Sequence, residues 1–252
     1  MFMKDNFSIQ SDQYLKFRPT YPNELYDFIL ALVKTKNTAW DCGTGNGQVA
    51  AELSKHFTKV YATDISEKQI KSAIRKDNIF YKVECAERTS FRENTFDLIT
   101  VAQAVHWFNF NDFYHEVKRT INPNGIIAVI GYGLIETDKE ANQIISHFYK
   151  TILGKFWDKE RKYIDENYQT IPFPFNEIES PILFNNFEWT FEQLTGYFET
   201  WSAVRHYIKA KKENPIDLIQ KDLKETWKTE LLKTVRFPIL LRIGRVENTS
   251  NR

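Results

Sequence analysis

Positions 41 to 48 read Asp-Cys-Gly-Thr-Gly-Asn-Gly-Gln, three glycines at alternating positions behind a carboxylate. The segment follows a strand-like stretch at 38–41 and opens a helix-like one, so it falls outside the carboxyl end of a strand, where open α/β sheets bind ligands. Gly43 and Gly45 let the backbone approach a ligand that any Cβ would block, and Gly47 lets the turn enter the helix. A purely structural turn is the plain alternative, and a nicotinamide dinucleotide site is the chemical one. The dinucleotide fingerprint is GxGxxG, whose spacing turns a helix N-terminus toward a pyrophosphate. Here Gln48 occupies the third glycine position and Asp41 stands in the turn itself. A carboxylate there repels a pyrophosphate and pairs instead with an ammonium group, directly or through water.

About twenty residues on, Tyr61-Ala62-Thr63-Asp64 ends a second strand with a carboxylate placed to take both hydroxyls of a ribose. An ammonium and a ribose together describe S-adenosylmethionine. These residues resemble motif I and the acidic motif that follows it in the class I methyltransferases. The resemblance implies that S-adenosylmethionine is bound by Asp41, Gly43, Gly45, Gly47, Asp64, Ile65 and Gln103 and leaves as S-adenosylhomocysteine. Ala86 and Glu87, after the third strand, fall where that family contacts adenine.

The fourth strand ends in Gln103-Ala104-Val105-His106-Trp107-Phe108. Methyltransferases of exocyclic base nitrogens carry an Asn/Asp-Pro-Pro-aromatic motif at this point, and it is absent. The segment resembles instead the methyltransferase type 11 branch of small-molecule enzymes, which includes trans-aconitate methyltransferase and its fungal relatives. The stretch from Tyr14 to Pro22, with Arg18 before Pro19, is similar to that branch's N-terminal signature. Thr200-Trp201-Ser202-Ala203 and the run from Phe237 to Arg245 are similar to its C-terminal one. The resemblance implies an acceptor held by Tyr14, Arg18, Tyr21, His106, Trp107, Trp201 and Arg205. A carboxylate acceptor is already ionised near pH 7 and needs only positioning. A hydroxyl or nitrogen acceptor would make His106 the natural general base. Each residue also has a bland reading: His106 bonded inside the fold, Arg18 fastening the N-terminal segment, Trp107 and Trp201 in the core, and Arg205 solvated.

These residues need a scaffold that brings several strand ends together. Strand-like segments at 38–41, 59–63, 79–83, 96–102 and 125–132 alternate with helical ones, the pattern of a mostly parallel sheet covered on both faces. The first helix, 47–56, carries Val49, Ala50 and Leu53 on one face, and the second opens at Ser66 with Gln69 positioned for a capping box. A third, 111–121, stops at Asn122-Pro123-Asn124-Gly125. Past Gly133 the alternation ceases, and an insertion with Ile144, Ile145, Phe148 and Ile152 on one helical face precedes the aromatic tract Phe173-Pro174-Phe175. A strand at 182–190, a helix at 191–203, a helix opened by Asn214-Pro215 with an apolar face reaching Leu231, and an apolar run at 237–243 complete the chain. The expected architecture is a Rossmann-like, doubly wound, mostly parallel seven-stranded sheet with its last strand antiparallel, under a helical and aromatic lid. Its expected divisions are an N-terminal lid segment at 1–36, a donor-binding core at 37–133, an insertion over the site at 134–181, and completing strands and helices at 182–252.

Composition narrows the partners. Of 252 residues, 34 are Lys or Arg and 33 Asp or Glu, a net charge of +1 that offers no field for nucleic acid. No run approaches the roughly 18 apolar residues of a membrane span. Cys42 and Cys85 lack CxxC partners, so neither disulfide nor metal is expected and a reducing cytoplasm fits. The expected activity is methyl transfer to a small molecule, with an NAD(P)-dependent oxidoreductase or a non-catalytic S-adenosylmethionine-binding subunit as alternatives. Oligomeric state is not encoded in any feature of the chain.

Overall fold

The structure is a computed structural model that describes residues 17–227 and 231–246. Tyr14 and the tail beyond residue 246 lie outside the described residues. Eight strands are described: β1 (Thr38–Cys42), β2 (Lys59–Asp64), β3 (Ile79–Val83), β4 (Phe96–Ala102), β5 (Ile121–Tyr132), β6 (Asn176–Ile178), β7 (Phe184–Trp189) and β8 (Lys233–Arg245). They form the order β3-β2-β1-β4-β5-β8-β6, with β7 also on β8. The first five are parallel, and β8 runs antiparallel to β5, β6 and β7. The sheet is therefore the expected mixed one, with eight strands where seven were counted. The short β6 went uncounted because its exposed sequence, Asn-Glu-Ile, has no strand-like period.

Side chains alternate across the central strands with the two-residue period that extended backbone imposes. Ala39, Leu98, Ile126, Ala128 and Ile130 face α1 (Asn23–Leu32) and α2 (Gln48–Leu53) in one cluster. Trp40, Cys42, Ile99, Val101, Ile127 and Val129 face α4 (Phe110–Thr120) in the other. Between these helices lies α3 (Glu67–Ser72), whose cap Ser66 accepts from the Gln69 N–H at 3.4 Å. Both faces of the sheet are thus covered, as a parallel sheet requires.

Several boundaries differ from the sequence reading. The first helix ends at Leu53 rather than residue 56, the chain continuing as turns. The turn at Asn122–Gly125 does not precede β5 but sits inside it: Phe96 pairs with Ile121 and Leu98 with Ile126, so the residues between bulge out, Asn124 at φ 63. The single helix expected at 191–203 is two, α7 (Phe191–Glu199) and α8 (Ser202–Lys211). They are broken where the Thr200 hydroxyl bonds back to the Tyr197 carbonyl at 2.6 Å, and Thr190 with Gln193 supplies a full capping box at the start of α7. The segment opened by Asn214-Pro215 begins as a 3-10 turn, Pro215–Leu218, before α9 (Gln220–Trp227), and Leu231 is 80% exposed rather than packed.

The insertion contributes α5 (Lys139–His147), which widens into a π-helical turn, Phe148–Ile152, and α6 (Lys162–Asp165). Ile145 and Phe148 are fully buried with Trp201, Phe198 and Tyr197 in a third cluster that joins α5, α7, α8 and α9 to the end of β5. Tyr168 and Ile171, by contrast, pack on the sheet with α4. The free cysteines are one buried, Cys42, and one exposed, Cys85. Among the described residues no helix is long and apolar enough to cross a membrane, and no group of three or more His, Cys, Asp or Glu could hold a metal ion.

Candidate active site

The carboxyl ends of β1, β2 and β4 open on a cleft, the place where open α/β sheets bind their ligands. Its floor is the turn after β1. Gly43, Gly45 and Gly47 all have positive φ, at 67°, 55° and 82°, a region that strains any residue with a Cβ. A Cβ on Gly43 would lie 2.7 Å from Cβ of Ala104, and one on Gly47 would lie 2.2 Å from the Tyr81 hydroxyl. Gly45 has no neighbour within 4 Å of that position, so its openness faces the cleft, which it lines.

Asp41, expected to meet an ammonium, lines the cleft but is only 1% exposed. Its Oδ2 accepts from the Thr44 hydroxyl at 2.5 Å and the Ala50 N–H at 3.1 Å, and its Oδ1 from the Thr100 hydroxyl at 2.9 Å. The carboxylate therefore ties the glycine turn to α2 and β4. Burial pushes its pKa up to about 6, against the pull of those three hydrogen bonds. Asp64, by contrast, sits at the rim, half-buried. Its Oδ2 accepts from the Gly45 N–H and its Oδ1 from the Ser66 N–H, each at 2.8 Å.

The opposite wall comes from distant parts of the chain. Arg18 and Tyr21 from the N-terminal segment, Gln103 and Trp107 after β4, and Tyr132 at the end of β5 meet there. Arg18 donates to the Tyr132 hydroxyl at 2.8 Å and the Thr200 carbonyl at 3.2 Å, with its guanidinium 5.7 Å from the Tyr197 ring. It both fastens the N-terminal segment and faces the cleft. Gln103 has φ 53, and its side chain donates to the Tyr132 carbonyl at 3.1 Å, holding the ends of β4 and β5 together. Strain of this kind in a non-glycine residue concentrates at functional sites.

Other expected residues lie elsewhere. His106 is 6% exposed and does not line the cleft; its Nδ1 is 3.3 Å from the Tyr168 hydroxyl. Burial, followed by the positive charge of Arg161, holds its pKa down to about 3. The imidazole is thereby held in its neutral form. Trp201, 2% exposed, belongs to the aromatic core with Phe148 and Phe198 rather than to the wall. Arg205, on α8, also lies outside the lining. Ile65 is 38% exposed beside Asp64, Ala86 is buried against the sheet, and Glu87 accepts from the Asn109 N–H at 3.0 Å; none lines the cleft.

Residues that sequence reasoning passed over line it instead: Pro19, Thr44, Asn46, Val49, Gln69 and Tyr132. Thr44 and Asn46 were visible as the residues between the glycines, and Tyr132 as the polar-tipped end of an apolar strand. Asn46 is 5% exposed, and its Nδ2 is buried without a hydrogen-bond partner. A glycine cradle that a Cβ would fill and a buried donor awaiting an acceptor fit a ligand with nucleoside hydroxyls and an amino-acid end.

Comparison with known proteins bears on the ligand. Residues 40–129, spanning this turn and the ends of β2 and β4, match the family model of a methyltransferase domain. A Dictyostelium discoideum protein described as a methyltransferase is 35% identical over 251 residues, covering 96% of this chain and 95% of that protein. A Saccharomyces cerevisiae protein described as an S-adenosylmethionine-dependent methyltransferase is 22% identical over 258 residues, covering 87% of this chain and 89% of that protein. A solved structure from Anaeromyxobacter dehalogenans, described as a type II methyltransferase, matches with a TM-score of 0.86 at 34% identity. That match covers 92% of this chain and 99% of the other. None of these favours a nicotinamide cofactor. Likeness over nearly the whole length, centred on a turn built to accept a ligand, shows that the chain belongs to the class I S-adenosylmethionine-dependent methyltransferases and takes S-adenosylmethionine as its methyl donor.

Proposed function

We propose that the chain methylates a small carboxylate acceptor, forming a methyl ester and S-adenosylhomocysteine. The observation that carries this reading is the lining of the cleft: a cation, Arg18, with the aromatic groups Tyr21, Trp107 and Tyr132, and no histidine among the described residues. An acceptor that must lose a proton needs a base, and His106 is buried with its pKa held near 3. A carboxylate needs none. When bound, the donor supplies a sulfonium-activated methyl group, so that a new carbon–oxygen bond forms as the carbon–sulfur bond breaks and sulfur keeps the electron pair.

Asp64 accepts hydrogen bonds from the ribose hydroxyls, while Asp41 keeps the glycine turn in shape. Arg18 positions the acceptor carboxylate, and the aromatic wall excludes water and restricts its approach to an in-line one. Positioning of this kind contributes several kcal/mol, roughly 7 to 11 in well-oriented cases, without acid–base chemistry. The residues around the third cluster and the N-terminal segment act as the cover of the site.

Arg18→Ala tests this directly. The expected result is an acceptor KM raised roughly 10- to 100-fold, in proportion to a lost charge-assisted hydrogen bond, with S-adenosylhomocysteine affinity nearly unchanged. Steady-state kinetics with the acceptor varied, alongside calorimetric titration with S-adenosylhomocysteine, measure the two. Equal losses on both sides would assign Arg18 to holding the N-terminal segment alone.

A further inference from the structure

We propose that the chain docks on an anionic membrane surface through a lysine-rich face of its cover, an inference independent of the acceptor. The net charge of the whole chain is +1, yet residues 150–162 and 202–212 carry nine Lys or Arg against two acids. The two segments form one surface. The Phe156 and Tyr207 rings lie 4.8 Å apart, and His206 Nδ1 is 2.9 Å from the Phe156 carbonyl oxygen. Lys150, Lys155, Lys159 and Lys162 stand exposed on the insertion, and Lys209, Lys211 and Lys212 stand exposed at the end of α8. None of these lysines is ion-paired among the described residues; those that are, Lys55, Lys71, Lys82 and Lys233, lie elsewhere. Of the two acids, Asp158 has its Oδ2 buried 4.0 Å from His206, and Glu160 is half-buried.

The chemistry of this face suits a charged plane. Lysines are compact point charges without the fork that grips a single anion, so an array of them matches a diffuse negative surface. Apolar side chains stand among them. Ile208 is exposed on α8 three residues before Lys211, and so on the same side of the helix, while Leu218 is exposed on the turn packed beside it. At a membrane interface the cations meet lipid headgroups and the aliphatic groups enter the acyl boundary. The rest of the chain is net negative, so a long polyanion running past the patch is repelled, whereas a plane meets one face only. The insertion also reaches the site, where the charge of Arg161 bears on His106, the neighbour of Trp107 in the cleft wall. Docking therefore brings the cover of the cleft to the lipid surface.

Co-sedimentation of the full chain with vesicles tests this, with phosphatidylcholine alone compared with phosphatidylcholine containing about 30 mol% phosphatidylserine. Binding is expected only with the anionic lipid, and should weaken as salt rises from about 0.1 to 0.5 M. Each lysine near such a surface contributes about fivefold to partitioning, so Lys155→Gln, Lys209→Gln and Lys211→Gln together should lower it roughly 100-fold. Lys34→Gln, Lys59→Gln and Lys76→Gln together remove the same charge from exposed positions at the amino ends of the strands, and should stay within about twofold of wild type. Ile208→Ser, which keeps every charge, should weaken vesicle binding about fivefold. Equal losses in the two triple variants, or no binding to the anionic vesicles, would overturn the proposal. Capture by duplex RNA or polyglutamate in place of the vesicles would overturn it too, and assign the face to that partner.

Discussion

Asp41→Ala is expected to cost about 3 kcal/mol of stability at pH 7 and to lower the melting temperature by roughly 6 to 12 °C. The substitution strands three donors together: the hydroxyls of Thr44 and Thr100 and the N–H of Ala50. Each buried donor left unsatisfied costs about 1–3 kcal/mol, partly offset because the charge itself was expensive to bury. The size of that expense appears in the pKa, raised from 3.8 to about 6 by burial. Since the folded state holds this proton more tightly than the unfolded one, the group's contribution to stability grows as pH falls from about 6 toward 4. A rise from 3.8 to about 6 corresponds to about 3 kcal/mol. The stability gap between wild type and variant should therefore widen from pH 7 to pH 4. Urea unfolding at several pH values reads it, and a gap independent of pH would place Asp41 outside the role described.

Asp64→Ala is expected to have the larger effect on ligand and the smaller on the fold. Its carboxylate is half-buried and accepts from two backbone N–H groups, whereas Asp41 is buried among three donors. Two charge-assisted hydrogen bonds to ribose hydroxyls are worth about 1.5 kcal/mol or more each, so affinity for S-adenosylhomocysteine should fall roughly 100-fold or further. 5′-Methylthioadenosine, which keeps adenine, ribose and sulfur but lacks the amino-acid end, should be weakened to the same degree, because it keeps the ribose. A loss confined to S-adenosylhomocysteine would move Asp64 from the ribose to the amino-acid end.

The parts of the fold legible in the sequence were those set by local period and turn chemistry. Alternation in β1, β4 and β5 and the glycines of the turn were enough to place the cleft at the strand ends. Long-range contacts decided the rest. Nothing local says that β6 will find a partner in β8. The same limit explains the site. Asp41 and Asp64 look alike as strand-end acids, yet three buried donors surround one, while the other sits at a rim bridging Gly45 and Ser66. His106 has the residue type of a base, and only the fold shows its ring against the Tyr168 hydroxyl, 62 positions away. Asn46 drew no notice because an asparagine between glycines is ordinary turn chemistry; only its burial without a partner sets it apart.

A single experiment reaches the central claim: incubation of the chain with methyl-labelled S-adenosylmethionine and a panel of small carboxylic acids, alcohols and amines, followed by mass spectrometry of the products. The account predicts label in methyl esters that hydroxylamine cleaves, formed at a rate that varies little between about pH 6.5 and 9 because no catalytic base titrates. Label appearing only on alcohols or amines, with a rate that rises through the titration of a base, would contradict it.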